Sequence, residues 1–520
     1  MINHMPLNTL EKKIYQLIIS RLDGEYITSE SYQEKIFGLV EKGIGGFIVF
    51  GGKKDEVKNF IGKIQSISEM PCFIASDIER GVGQQILGNT IFPSQMAMAA
   101  AIDKNRPDDI TILENAIRAI ADEAKGVGIN MPLIPVLDIN QNPDNPIICT
   151  RAFSENPEDV TWFGSKYIRI LEEAGLVSCA KHFPGHGDTS VDSHISLPVI
   201  RKSYKELMDM DILPFKEAIK TGVSSIMVGH LSIPAIDSKP ASLSKNIITN
   251  LLREGLGFNG LILTDALNMN ALKGIKNIPV ECIKAGADIL LHPLDLDLTV
   301  KELVSAIESK EIDEDQIDTA LDRILKAKKK LQNTTTPLIS PLLRGELGRG
   351  EVDYHRHEEF SSLISEMSVT LVKKTKGILP ISGKDKALLV LSGDSKFFES
   401  SPLKTVFKDV STIADVIELK DRIVIFVIFT TIAAWTGSSG IGQDERDRIN
   451  ELIRHAKNSV VISFGNPYVL RHFDNADILI AVYEATDQAQ KAVVKHLIEK
   501  MDFKGRLPVK YDFNSNGKSY

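Results

Sequence analysis

The chain is poor in cysteine: Cys72, Cys149, Cys179 and Cys282 are its only four, widely separated and without a CxxC pair. That spacing excludes a disulfide framework or a thiolate zinc site, and their mostly apolar surroundings suit reduced core thiols in a reducing compartment. Tryptophan is scarcer still, at two, and aromatic residues make up 6% of the chain, so there is no extended stacking platform for a long polymer. There is no basic surplus either. The formal net charge of -8 argues against a phosphate-dominated nucleic-acid surface. No apolar run approaches membrane-spanning length, so no membrane association is expected. Near the N-terminus only Ile14-Tyr15-Gln16-Leu17-Ile18-Ile19 is apolar, and Arg21 and Asp23 soon interrupt it with no small-residue cleavage pattern beyond. No signal peptide is read there; a cytoplasmic location is expected, with removal of an upstream segment left open.

What the chain does have is alternation. Its 520 residues exceed one ordinary core, so two domains are expected. Short apolar runs alternate with longer amphipathic ones, the pattern of repeated strand-helix units. Eight candidate strands fall near Gln16–Ser20, Gly46–Phe50, Cys72–Ser76, Pro132–Leu137, Leu176–Ala180, Ser225–Val228, Leu261–Thr264 and Asp288–Leu291. Eight such units predict an α/β fold with a closed (β/α)8 TIM barrel. Polar residues gather just past these runs, at Asp23, Asp77, Asp138, Lys181, His182, His230, Asp265 and His292, which a barrel would bring to one mouth. After a helical run from Glu314 to Leu331, the composition changes at Asn333-Thr334-Thr335-Thr336-Pro337 and continues through Gly345, Gly348 and Gly350. The expected division is a catalytic barrel over 1–332, a linker over 333–352 and a smaller, mostly parallel α/β domain over 353–520. Its strands are read at Leu388–Leu391, Ile423–Phe429, Val460–Phe464 and Ile478–Val482.

The densest chemistry lies in Lys181-His182-Phe183-Pro184-Gly185-His186-Gly187-Asp188-Thr189-Ser190-Val191-Asp192-Ser193-His194. Two glycines and a proline keep these residues from becoming helix, and an apolar run delivers them, so they read as an active-site loop. In Asp192-Ser193-His194 the i,i+2 spacing lets a carboxylate hold one imidazole nitrogen while the other gives or takes a proton, the logic of an acid/base dyad. Two other readings of this loop stand beside it: a stabilising hydrogen bond, and a metal site built from His182, His186, Asp188, Asp192 and His194, for which no HExxH spacing speaks. Asp265 follows the apolar Leu261-Ile262-Leu263-Thr264, either as a nucleophilic carboxylate or as the cap of a following helix. Lys181 and His182 suit donation to ligand hydroxyls, Asp77 suits accepting from two hydroxyls, and Arg151 suits reaching another oxygen. Structural alternatives are a surface ion pair for Arg151 and an Asp77–Arg80 pair.

These residues resemble glycoside hydrolase family 3, in its β-N-acetylglucosaminidase branch. The motifs are Lys181-His182-Phe183-Pro184-Gly185-His186-Gly187 with Asp192-Ser193-His194, and Leu263-Thr264-Asp265-Ala266-Leu267-Asn268-Met269. Further matches are Pro135-Val136-Leu137-Asp138-Ile139-Asn140, Thr150-Arg151-Ala152-Phe153 and Pro240-Ala241-Ser242-Leu243-Ser244. The resemblance implies that Asp265 is the nucleophile and His194 the general acid/base, oriented by Asp192. It places Lys181, His182, Asp77 and Arg151 at sugar-binding positions and His230 in the pocket lining. The chain departs from the family's DQEGG pattern with Asp77-Ile78-Glu79-Arg80-Gly81.

The remainder resembles the family's α/β sandwich domain through Ser368-Val369-Thr370-Leu371-Val372, Ile462-Ser463-Phe464-Gly465-Asn466-Pro467-Tyr468 and Gly505-Arg506-Leu507-Pro508-Val509. In β-glucosidase members a carboxylate from this domain supplies the acid/base. Glu484 is the one to suspect here, with a helix-start role as its alternative. The implied activity is that of a retaining exo-β-N-acetylglucosaminidase acting on small saccharides, muropeptides or chitin-derived oligosaccharides, with no metal or organic cofactor. Phosphorolysis at the same site, a β-glucosidase or β-xylosidase, and a sugar-binding protein are the alternatives. The sequence does not set the oligomeric state.

Overall fold

A computed structural model of the chain describes residues 9–333, 352–382, 386–416, 419, 421–433 and 437–510. The chain forms two compact units. One takes the chain up to Phe92, Glu114–Ile139 and Val160–His357; the other takes Pro93–Leu113, Asn140–Asp159 and the chain from Glu358. Residues 334–351 of the expected linker lie outside the described residues. Among the described residues no helix is long and apolar enough to cross a membrane.

The first unit holds eight strands: β1 (Ile18–Asp23), β2 (Gly46–Phe50), β3 (Phe73–Ser76), β4 (Met131–Pro132), β5 (Cys179–Phe183), β6 (Ser225–Val228), β7 (Leu261–Thr264) and β8 (Leu290–Leu291). They pair in the orders β4-β3-β2-β1-β8 and β5-β6-β7, every ladder parallel. Single bridges Val136–Lys181 and Leu263–Ile289 join the two sets, giving a TIM barrel. Runs such as β6 and β7 are buried at every position, because a parallel sheet covered by helices leaves neither face to water.

The departures from the sequence reading that bear on the site fall in the fourth and fifth strands. The expected run Pro132–Leu137 is a strand only at Met131–Pro132; beyond it Leu133 N–H donates to the Ser76 carbonyl and Leu137 N–H to the Lys181 carbonyl. Pro132 and Pro135 have no N–H for a regular ladder, so the chain passes between β3 and β5 in isolated bonds. The fifth strand begins at Cys179 and continues through Phe183, so Lys181 and His182 lie within the strand instead of past its end.

At the other end of the barrel wall, Lys328 in the helix Glu314–Asn333 is 3% exposed. Its Nζ donates to Gln16 Oε1 at 2.8 Å and lies 5.1 Å from the Phe73 ring centroid. Burial pushes its ammonium down from 10.5 to about 8. The unfolded chain therefore holds this proton up to pH 10.5, while the folded chain loses it near pH 8. The cost is complete below pH 8 and fades as pH rises towards 10.5. Lys328→Met is expected to stabilise the protein by about 1–2 kcal/mol at pH 7, after allowing for the stranded Gln16 oxygen. Urea melts at pH 7 and pH 10 check it: the advantage must shrink at the higher pH.

The second unit carries β9 (Thr370–Lys374), β10 (Ala387–Gly393), β11 (Val410–Thr412), β12 (Ile423–Phe429), β13 (Asn458–Phe464) and β14 (Ile478–Val482). They form one sheet in the order β11-β10-β12-β13-β14-β9, parallel except for the antiparallel edge strand β9. β12 divides by the two-residue period of a strand: Val424, Phe426 and Ile428 enter one core, Ile423, Ile425, Val427 and Phe429 the other. That is an α/β sandwich. The first of these cores also takes Met96, Ala97, Ala100 and Cys149, which is why short segments from the first third of the chain belong to this unit. All four cysteines are buried and unpaired.

Candidate active site

β5 supplies the floor of the site. Lys181 is 1% exposed, and its Nζ donates at 2.7 Å both to Asp77 Oδ1 and to Glu79 Oε1. Asp77, itself part-exposed, therefore belongs to a triad with the buried Lys181 and Glu79 instead of an Asp77–Arg80 pair. Holding an ammonium between two carboxylates costs desolvation and gains a fixed geometry for three groups able to bind hydroxyls. Glu79 was not anticipated, although its position two residues after Asp77 in one loop was the available signal.

His182 Nδ1 donates to Asp138 Oδ2 at 2.7 Å, which sets its tautomer. Asp138 has no exposed surface. Burial alone would push its carboxyl up, but the His182 imidazole and His186 together hold it below the usual carboxylate range.

The loop after β5 can turn so tightly because of two glycines. Gly185 has φ +130, and a Cβ on Gly187 would sit 1.6 Å from the Ile139 carbonyl oxygen; an L side chain fits at neither position. His186 N–H donates to Asp138 Oδ1 at 2.6 Å. Its ring nitrogens contact Thr189 Oγ1 at 2.8 Å and Ser193 Oγ at 3.2 Å. Asp192, 1% exposed, accepts from His194 N–H at 2.8 Å and from its Nδ1 at 2.9 Å, while the His194 side chain keeps 23% of its surface exposed. The Ser193 carbonyl accepts from Ala271 N–H at 3.2 Å, tying this loop to the one after β7. With Nδ1 of His182 and the ring of His186 spent on carboxylate and hydroxyls, the metal reading finds no ligand set. Among the described residues no group of three or more His, Cys, Asp or Glu is placed to hold a metal ion.

Asp265 follows β7, its N–H donating to the Val228 carbonyl at 2.9 Å. It does not cap a helix: the next element is the short 3-10 turn Asn270–Leu272, entered at Met269. Asp265 Oδ1 instead accepts from Ala266 N–H at 2.7 Å. Burial alone would push this carboxyl up, but the imidazoles of His182 and His230, the Ala266 N–H and His194 hold it below the usual carboxylate range. His230 is fully buried, and burial pushes its imidazole down despite the Asp265 charge. Its Nε2–H donates to the Ala266 carbonyl at 3.1 Å, so Nδ1 accepts from Ser242 Oγ at 2.7 Å. Both ring nitrogens are thus engaged by protein, and His230 holds the loop that carries Asp265.

Asp77, Lys181, His182, Asp192, His194, His230 and Asp265 all belong to the first unit, whereas Arg151 belongs to the second. Arg151 closes the turn Cys149–Arg151; its Nη1 donates to the Ile147 carbonyl at 3.1 Å, and its own carbonyl accepts from Gln95 Nε2 at 2.8 Å. Glu484 follows β14, 6% exposed, and accepts from Ser365 Oγ at 3.5 Å. The neighbouring helix starts at Asp487 with Thr486 as its cap, so Glu484 has no helix-start role. Ser193 and Ser242 are further members of the site network to which sequence reasoning gave no role, and Asp138, read there only as a residue at the barrel mouth, binds His182 and His186.

A barrel whose mouth gathers an ionised carboxylate, an aspartate-held imidazole and an Asp–Lys–Glu triad is the class of site that processes glycosides. The N-terminal domain profile of glycosyl hydrolase family 3 matches residues 9–327, and the chain belongs to that family. It is 32% identical over 408 residues to β-hexosaminidase A of Pseudoalteromonas piscicida, an alignment covering 71% of this chain and 66% of that protein, slightly under two thirds of its length. It is 26% identical over 551 residues to a β-N-acetylglucosaminidase/β-glucosidase of Cellulomonas fimi, covering 96% and 92%. Among solved structures, a glycoside hydrolase family 3 β-N-acetylglucosaminidase from Paenibacillus sp. str. FPU-7 superposes with a TM-score of 0.81 at 29% identity, covering 97% of this chain and 99% of that one.

Proposed function

We propose that the protein is a retaining exo-β-N-acetylglucosaminidase that removes terminal β-linked N-acetylglucosamine from small saccharides such as muropeptides. The observation that carries this reading is the 2.9 Å contact between Asp192 and His194 Nδ1, which gives the barrel unit its own acid/base beside Asp265. Asp265 attacks the anomeric carbon while the proton on His194 Nε2 passes to the glycosidic oxygen. A covalent glycosyl-enzyme forms through an oxocarbenium-like transition state. Water then attacks the same carbon, His194 takes its proton, and the Asp265 carboxylate leaves with configuration retained. Asp192 stabilises the imidazolium at each stage. Asp77 accepts from sugar hydroxyls and Lys181 donates to them, while His182, whose Nδ1–H is held by Asp138, binds a hydroxyl through Nε2; Arg151 keeps its proposed sugar contact on the motif Thr150-Arg151-Ala152-Phe153 alone. Four buried, unpaired thiols support a cytoplasmic location.

The deciding measurement is the initial rate on an aryl β-N-acetylglucosaminide beside that on the matching β-glucoside. A strong preference for the N-acetyl substrate supports the proposal. A preference for glucoside moves the acid/base search to carboxylates such as Glu484, and silence on both supports a sugar-binding protein.

The imidazole also favours a second reading. A neutral base repels an incoming phosphate less than a carboxylate would, so phosphate can compete with water for the glycosyl-enzyme. Adding phosphate to the assay tests this: N-acetylglucosamine 1-phosphate rising with phosphate concentration indicates phosphorolysis, and free sugar alone indicates hydrolysis.

A further inference from the structure

Asp138 lies between two parts of the site, the strand segment that carries His182 and the loop that leads to His194. Its Oδ2 accepts from His182 Nδ1 at 2.7 Å; its Oδ1 accepts from His186 N–H at 2.6 Å and from His182 N–H at 3.3 Å. None of these bonds belongs to a strand ladder, because the chain around Asp138 runs in the irregular stretch after β4. The two oxygens lead in different directions. Through His182 the carboxylate reaches Asp265, on which that imidazole acts electrostatically. Through His186 it reaches the loop, since the His186 ring contacts Thr189 and Ser193, and Ser193 precedes His194 in the chain.

We propose that Asp138 is a positioning residue that holds the nucleophile side and the acid/base side of the site in register, with His186 relaying its hold to the His194 loop. This rests on the assignment of Asp265 and His194 made above. One fully buried carboxylate anchors two groups that must act on the same glycosidic bond from different strands, so a shift at Asp138 displaces both. The His182 ring that it holds is one of the groups that keep the Asp265 carboxyl below the usual carboxylate range. Asp265 is faced as well by His194 and His230, and His182 shares β5 with Lys181, itself paired with Asp77 and Glu79; Asp138 is faced by His182 and His186.

Asp138→Asn is nearly isosteric. Its carbonyl can still accept from His186 N–H, but its amide presents a donor to His182 Nδ1, which breaks the bond that orients this ring and lets it move relative to Asp265. The experiment compares the full-length protein with Asp138→Asn, His186→Ala and Asp265→Asn, on 2,4-dinitrophenyl and phenyl β-N-acetylglucosaminides across pH. For Asp138→Asn the acid limb of kcat/KM is expected to move up by about half a pH unit or more, with a roughly 10- to 100-fold loss on both substrates. For His186→Ala the acid limb stays and the phenyl substrate loses at least about fivefold more than the dinitrophenyl one, since only the former needs full protonation of its leaving group. An unmoved acid limb in folded Asp138→Asn overturns the proposal. If that variant does not fold, His186→Ala decides: an equal loss on both substrates overturns it. Turnover surviving in Asp265→Asn overturns the underlying assignment, and the proposal with it; a silent Asp265→Asn beside an unmoved limb overturns the proposal alone.

Discussion

Replacing Asp265 by asparagine is expected to lower turnover of an aryl β-N-acetylglucosaminide by at least about 10⁴-fold, because the amide cannot form the glycosyl ester on which both proposed displacements depend. The residue is prepared for that task by its surroundings. It stands at the end of an apolar strand, one oxygen held by Ala266 N–H at 2.7 Å, and the imidazoles facing it outweigh the effect of burial and keep the carboxyl below the usual carboxylate range. The sign of the pH dependence follows. A depressed carboxyl stays ionised as pH falls through the ordinary carboxylate range, so kcat/KM on its acid side declines only below that range. Initial rates of wild type and Asp265→Asn, with unfolding melts to establish that both are folded, check the first statement; a kcat/KM profile taken into acid checks the second. An Asp265→Asn protein that keeps more than about a hundredth of the rate would require another nucleophile.

His194→Ala is expected to show the second large effect, and its size depends on the leaving group. On a phenyl β-N-acetylglucosaminide, whose departing oxygen needs a proton, kcat/KM falls by about 10²–10⁴-fold; on the 2,4-dinitrophenyl substrate the same step loses far less. Asp192→Asn keeps the ring but replaces a carboxylate that accepts from His194 Nδ1 at 2.9 Å. An intermediate loss of roughly 10- to 100-fold is expected there, through tautomer and orientation. Rates for the two substrates with each variant provide the check. Equal losses on both substrates would mean that His194 does not protonate the leaving group.

Much of the barrel was legible because its signals are local. Gly46–Phe50, Ser225–Val228 and Leu261–Thr264 are short apolar runs with polar punctuation on both sides, and the structure has strands at those bounds. The loop after β5 was legible for a related reason: glycine and proline at 184, 185 and 187 forbid helix, and the ionisable residues lie within the same stretch. Asp192 and His194 are two residues apart, so their contact is a property of the loop itself. The extent of β5 was less legible, since Lys181 and His182 read as the end of an apolar run, whereas the neighbouring barrel strands bury them within it.

By itself, then, the sequence determined the order of the barrel strands, the loop that carries the Asp–His pair and the carboxylate after β7, because spacing and backbone chemistry act over a few residues. Only the tertiary structure decided which distant groups those residues meet. Lys181 finds Asp77 across 104 positions and His182 finds Asp138 across 44; no local pattern encodes such pairs, which exist because parallel barrel strands set the ends of remote segments side by side. The same holds for Met96 and Cys149, whose burial in the core of the second unit follows from packing against β12 and its neighbours. Local physics proposes the elements, and burial among partners far along the chain gives side chains such as Lys181 and His182 their partners.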